Sequence, residues 1–143
     1  MKIKDIVQFS SAHKRPENQD RCFYLKYEGE PDGEGSMSIL CVLDGVSQAN
    51  GSMAVRVAVP AMLPVLSGLL GKAHSLLQMD DYARQETICG AMSQAICAAH
   101  QRLQLTSCPG NGCGTTITML TVFDDRVYAA NVGDSPAYLL EIP

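Results

Sequence analysis

The chain reads as an α+β protein in which antiparallel β-sheets are flanked by helices. Strand-like runs near both ends enclose a helical middle. The run 37–43 is apolar at nearly every position, and apolar side chains recur at three- and four-residue spacing over 81–104. Hairpin-like strand groups around a helical pair do not read as alternating βαβ units. A length of 143 residues fits one domain, and 46% apolar content supplies a core. We find no internal repeat.

Taken in order, residues 3–10 are short and mixed and read as an edge strand, and 11–20 are polar and irregular. Residues 22–27 alternate loosely, as a strand does. Glu28-Gly29-Glu30-Pro31-Asp32-Gly33-Glu34-Gly35 is dense in turn formers and predicts a solvated hairpin loop; its acids lack calcium-loop spacing. The apolar run 37–43 predicts a central strand covered on both faces. A helix is expected from about 50–52 to Leu70, kinked or divided by Pro60 and Pro64 and weakened at its end by Gly68 and Gly71. Asp80 or Asp81 can N-cap a second helix over 81–104, whose apolar face is Ile88, Met92, Ala95, Ala99 and Leu103, widened by Ile96. Residues 106–114 form a glycine-containing loop, and 115–123 is a β-branched strand. Asp124-Asp125 is a two-residue turn into a returning strand at 126–131, and 137–140 starts another strand. The expected order is therefore β, β, β, α, α, β, β, β.

Composition bears on partners. The net charge is −4 with no Lys/Arg run, Trp is absent, and Tyr and Phe number 5 and 3, so nucleic-acid binding is not expected. The N-terminus lacks a secretory h-region, and the stretch 55–70 reads as too short and too interrupted to cross a bilayer. No membrane association is expected. None of the 6 cysteines forms a CxxC pair, so free buried thiols in a reducing, cytoplasmic setting are the simplest reading. Cys108 and Cys113 have a spacing that can open a zinc site, but no second pair or nearby histidine completes one.

Three segments carry possible chemistry. In Ser38-Ile39-Leu40-Cys41-Val42-Leu43-Asp44-Gly45 an apolar strand ends in a carboxylate aimed at a cleft mouth. Hard divalent cations take carboxylate and carbonyl oxygens, which Asp44 and Gly45 offer; a turn-capping aspartate is the plainer alternative. In Arg15-Pro16-Glu17-Asn18-Gln19-Asp20, the Arg15 fork suits a phosphate and Asp20 can hold a metal-bound water, whereas the segment alone also reads as an ordinary surface loop. Gly112-Cys113-Gly114-Thr115-Thr116 lacks the lysine and following helix of a P-loop, so close backbone packing is the better reading. Gly133-Asp134-Ser135 alone is a turn. Ser135 has no evident histidine partner, and His13, His74 and His100 are scattered.

Together these motifs resemble the metal-dependent serine/threonine phosphatases of the PP2C type, in a bacterial-like branch. The opening segment resembles R-x-x-N-[EQ]-D, and Val42-Leu43-Asp44-Gly45 resembles V-F-D-G. Gly112-Cys113-Gly114-Thr115-Thr116 resembles G-x-G-T-T, and Ala130-Asn131-Val132-Gly133-Asp134-Ser135-Pro136-Ala137-Tyr138-Leu139 resembles A-N-V-G-D-S-R-A-Y-L. The resemblance implies an αββα sandwich, with paired antiparallel sheets between outer helices. It implies hydrolysis of phosphoserine and phosphothreonine in a phosphorylated protein substrate by water bridging two Mn²⁺ or Mg²⁺ ions. Asp44 would bridge the ions, Gly45 would give a carbonyl, Asp20 would contact metal-bound water and Arg15 would bind the phosphate. Val46 stands where many members carry histidine, Gln19 where others carry glutamate, Pro136 where arginine is usual, and Ser47-Gln48 where a glycine pair is common. Family domains are longer, and two further metal-binding aspartates lie in their second half. Residues 1–143 are therefore expected to be the N-terminal part of a single phosphatase domain, an incomplete sandwich with weak or no activity. The alternative is a catalytically inactive phosphatase-like module that binds phosphorylated partners.

Overall fold

Burial alternates along the second strand, and that alternation sets the architecture. In a computed structural model, which describes residues 3, 6–12, 16–29, 34–46, 50–108, 110 and 112–140, four strands form one antiparallel sheet in the order β1-β2-β3-β4. They are β1 (Asp20–Tyr27), β2 (Met37–Asp44), β3 (Ile117–Phe123) and β4 (Arg126–Val132). Three helices lie between β2 and β3 in sequence: α1 (Gly51–Leu70), α2 (Ala73–Leu77) and α3 (Asp81–Gln104). Met37, Ile39, Cys41 and Leu43 point to the helices and are buried. The register places Thr121 and Met119 opposite Ile39 and Cys41 on the same face.

The core lies between this face and the helices. Ala54, Val55, Ala58, Met62, Leu66 and Leu69 of α1 and Ile88, Met92, Ala95 and Ala99 of α3 are buried against it. Each large apolar side chain so buried contributes about 1.5–3 kcal/mol relative to exposure. Asp80 caps α3 by accepting from the Ala83 N–H at 2.8 Å. Arg84 then donates to the Leu76 and Met79 carbonyls at 3.0 Å each, tying the end of α2 and the link after it to α3, while its guanidinium lies 5.9 Å from the Phe123 ring centroid. Arg126 ties the start of β4 to Asp81 at 2.6 Å.

Several expectations need correction. The described residues form one sheet with helices on one face, not a closed αββα sandwich. β2 is central in the sheet, but its second face is covered only in part: Ser38 is buried and Leu40 half-buried, whereas Val42 is 50% exposed. No strand forms at 6–10, because this segment borders a cavity over the bare face with β1 and β2 residues and has no ladder partner. Residues 137–140 are also unpaired and exposed. β3 begins at Ile117, Thr115 making only an isolated bridge to Gly45. The short α2 was not foreseen.

Pro60 and Pro64 do not divide α1, which runs continuously. Both are exposed and four residues apart, so the carbonyls they leave without an N–H partner lie on the water side. At 20 residues and mean hydropathy 1.8, α1 is long and apolar enough to cross a membrane by length and composition alone. The expected length barrier therefore does not hold, although a core helix passes the same test. The cysteines also differ from expectation: Cys108 and Cys113 are joined as a disulfide, Cys89 and Cys97 are exposed, and only Cys41 is a buried free thiol. Desolvation pushes the Cys41 thiol up to about 12, so it stays protonated and inert. The loop expected at 28–35 falls partly on 30–33, outside the described residues.

Candidate functional site

The ends of β1 and β2 meet at one rim of the sheet. Asp20 and Asp44 are direct cross-strand partners, so both carboxylates belong to the face turned away from the helices. Opposed residues of this kind hold their Cβ atoms about 5 Å apart. Asp44 is exposed and Asp20 half-buried. Both border a cavity of about 410 Å³ that Val7, Phe9, Val42 and Ser135 also line.

Backbone and side-chain hydrogen bonds together fix this rim. The Asp44 carbonyl accepts from the Thr116 N–H at 2.8 Å and from the Thr115 hydroxyl at 3.1 Å, and the Asp44 N–H donates to Thr116 Oγ1 at 3.2 Å. The Gly45 N–H donates to the Gln19 carbonyl and the Val46 N–H to the Gly114 carbonyl, both at 2.9 Å. Asp20 is positioned by Asn18, whose Oδ1 accepts its N–H at 2.9 Å. Gly45 has a steric reason to be glycine: a Cβ there would lie 2.5 Å from the Gln19 carbonyl oxygen and 2.6 Å from Gly51. The converse holds at Gly51, where a Cβ would collide with the Gly45 backbone.

Behind Asp44 a polar chain runs across the bare face. Thr116 Oγ1 and Ser135 Oγ are 2.7 Å apart, Thr118 donates to the Ser135 carbonyl at 2.7 Å, and Asn131 Nδ2 donates to Thr118 Oγ1 at 2.9 Å and to the Ser135 carbonyl at 2.6 Å. Gly133 takes φ +100°, and a Cβ there would sit 2.7 Å from Thr116 Cγ2. The Gly133-Asp134-Ser135 turn thus folds back to brace the strand beside Asp44. Residue-by-residue reading missed Thr116, Ser135, Asn131 and Gly51 as parts of this rim; the length of the A-N-V-G-D-S match was the available signal.

Of the predicted site residues, Asp20, Asp44 and Gly45 come together. Arg15 lies outside the described residues. The donor set suits a hard divalent cation: two carboxylates opposed in register repel each other, and a shared cation relieves that repulsion. Among the described residues no group of three or more His, Cys, Asp or Glu side chains gathers to hold a metal ion. Cys108 and Cys113, expected as free thiols and set aside as a zinc site for want of further ligands, are joined to each other.

The fold is an α+β arrangement, one antiparallel sheet backed by helices, with two opposed carboxylates at one rim. A family model described as Protein phosphatase 2C matches residues 9–141, nearly the whole chain. The chain belongs to the protein phosphatase 2C family. A comparison with curated protein sequences finds no match.

Proposed function

We propose that this rim is part of a metal-dependent phosphatase site acting on phosphoserine and phosphothreonine of a phosphorylated protein, in the cytoplasm. The observation that carries the reading is the in-register opposition of Asp20 and Asp44 at a cavity mouth, beside Gly45. These three residues would hold Mn²⁺ or Mg²⁺. The metal, when bound, supplies an activated water and neutralises phosphoryl charge. The residues' own work is positional: Thr115 and Thr116 fix the Asp44 backbone, Asn18 fixes Asp20, and the Arg15 guanidinium suits one phosphoryl oxygen pair. Two carboxylates and one carbonyl make at most half of a two-ion centre, so residues 1–143 alone should hydrolyse phosphopeptides weakly or not at all.

Calorimetric titration of residues 1–143 with Mn²⁺ tests the site. Wild type should show a saturable heat that Asp44→Ala abolishes, and identical heats would remove Asp44 from any metal centre. Full turnover of a phosphopeptide by 1–143 would overturn the ligand count. The same count favours a second reading, a phosphatase-like module that binds phosphorylated partners without hydrolysing them. Metal-independent phosphopeptide binding that is lost in Arg15→Ala, with no turnover, selects that reading.

A further inference from the structure

The disulfide lies in the loop that braces the acidic rim. Cys108 and Cys113, Cα atoms 5.8 Å apart, close a short loop between α3 and β3. Gly110 and Gly112 take positive φ, +66° and +88°, which lets so short a loop curl back on itself. The residues directly after it are those that hold Asp44. Gly112 accepts from Asn50 Nδ2 at 2.8 Å, at the start of α1. Gly114 accepts from the Val46 N–H, Thr115 forms the isolated bridge to Gly45, and Thr116 donates its N–H to Asp44. Cys108 Sγ also lies 3.8 Å from Met53 Sδ on α1. The cross-linked loop and the residues that follow it therefore reach Asp44, Val46 and Asn50 across more than 60 residues of sequence in each hydrogen-bonded pair.

We propose that Cys108 and Cys113 are a thiol–disulfide switch on this rim: the disulfide holds Gly112–Thr116 against Asp44-Gly45-Val46, and reduction releases that brace. Reduction consumes two equivalents of a small-molecule thiol. A thiolate attacks one sulfur to give a mixed disulfide and a free cysteine, and a second thiol resolves it to two cysteine thiols and one small-molecule disulfide. Oxidation is the reverse exchange, with oxidised glutathione taking up the two electrons and both protons passing to the departing thiols. The intervening glycines and the position at a cavity of about 400 Å³, also lined by His100 and Thr115, leave the pair reachable by such reagents.

Two measurements on the whole chain test the switch, and only the second rests on the proposed function. Amide hydrogen exchange at Val46 and Thr116, whose N–H groups bond across the brace, should speed by about tenfold or more on reduction with glutathione, while amides of α3 near Met92 stay unchanged. Calorimetric Mn²⁺ affinity should fall by about fivefold or more in the reduced protein. The Cys108→Ser/Cys113→Ser variant should match the reduced protein in both readouts and ignore oxidised glutathione. Equal exchange in the two redox states, or two free thiols at Cys108 and Cys113 persisting under excess oxidised glutathione, overturns the proposal. A redox effect on exchange with no Mn²⁺ binding in either state leaves the switch standing and removes the metal reading instead.

Discussion

The two faces of the sheet are built from the same strands and held by different forces. On β2 the helix side carries Met37, Ile39, Cys41 and Leu43, all buried. The other side carries Ser38, Leu40, Val42 and Asp44, of which Val42 and Asp44 are exposed. Dispersion and apolar burial hold the first face. The second carries hydrogen bonds made by side chains: Tyr24 to Ser38 at 3.2 Å, Thr116 to the Ser135 hydroxyl, and Asn131 to the Ser135 backbone carbonyl. The difference separates two tasks. The covered face supplies stability and makes the strands rigid, and the bare face borrows that rigidity to aim Asp20 and Asp44.

The sharpest way to break this division is to delete apolar volume from each face in turn. Phe123 is fully buried beneath Arg84. Phe123→Ala should cost about 3–5 kcal/mol, the usual range for an aromatic truncated in a packed core. Val42→Ala on the bare face should cost less than about 1 kcal/mol, since half of that side chain is already in water. Urea unfolding of both variants measures the contrast. Comparable losses would mean that the bare face is packed in solution.

A smaller effect comes from the one titrating thiol on the covered face. Burial raises Cys41 from 9.0 to about 12, so the folded protein keeps a proton that the unfolded chain releases. The sign follows: the raised pKa leaves stability intact below about pH 9 and removes it as pH climbs toward 12, at up to about 1.4 kcal/mol per pH unit. Tyr128, also raised chiefly by desolvation, adds to the decline above pH 10. Cys41→Ala should flatten the curve between pH 9 and 11 in chemical unfolding, and an unchanged slope would mean that water reaches the thiol.

How much of this was legible depended on range in sequence. The bounds of α3 are legible because the Asp80 cap and the Ile88, Met92, Ala95, Ala99 spacing are local signals. The Asp124-Asp125 turn was legible for the same reason, and Asp124 adopts φ 56° there. The misreading of β2 has a physical cause: an apolar run reports what a strand tolerates on each face, not which face is covered. In α1 the sequence shows two prolines but not that both lie on the solvent stripe with Arg56. At the site, Asp20, Asp44 and Gly45 were each visible as residue types in motifs. Their joint placement, and the bracing by Thr116 and Ser135, rests on contacts such as Asp44 to Thr116, 72 residues apart, which no local pattern encodes.

The smallest effect probes the acidic rim itself and tells a ligand from a structural carboxylate. Asp20 and Asp44 face each other in register, and like charges so placed cost a few tenths of a kcal/mol. Asp20→Asn keeps the shape and removes one charge. In the presence of a chelator it should therefore be as stable as wild type, or more stable by up to about 0.5 kcal/mol. Saturating Mn²⁺ should invert that order, because a cation bound only by the folded state stabilises in proportion to the logarithm of its concentration over Kd. At 100 times Kd this amounts to about 2.7 kcal/mol for wild type and much less for the variant. Thermal melts with chelator and with Mn²⁺ read both halves. A loss above about 1 kcal/mol in chelator would show that the Asp20 carboxylate serves the fold. A matching gain of both proteins in Mn²⁺ would place the metal elsewhere, and the bare face would then lose its claim to the chemistry.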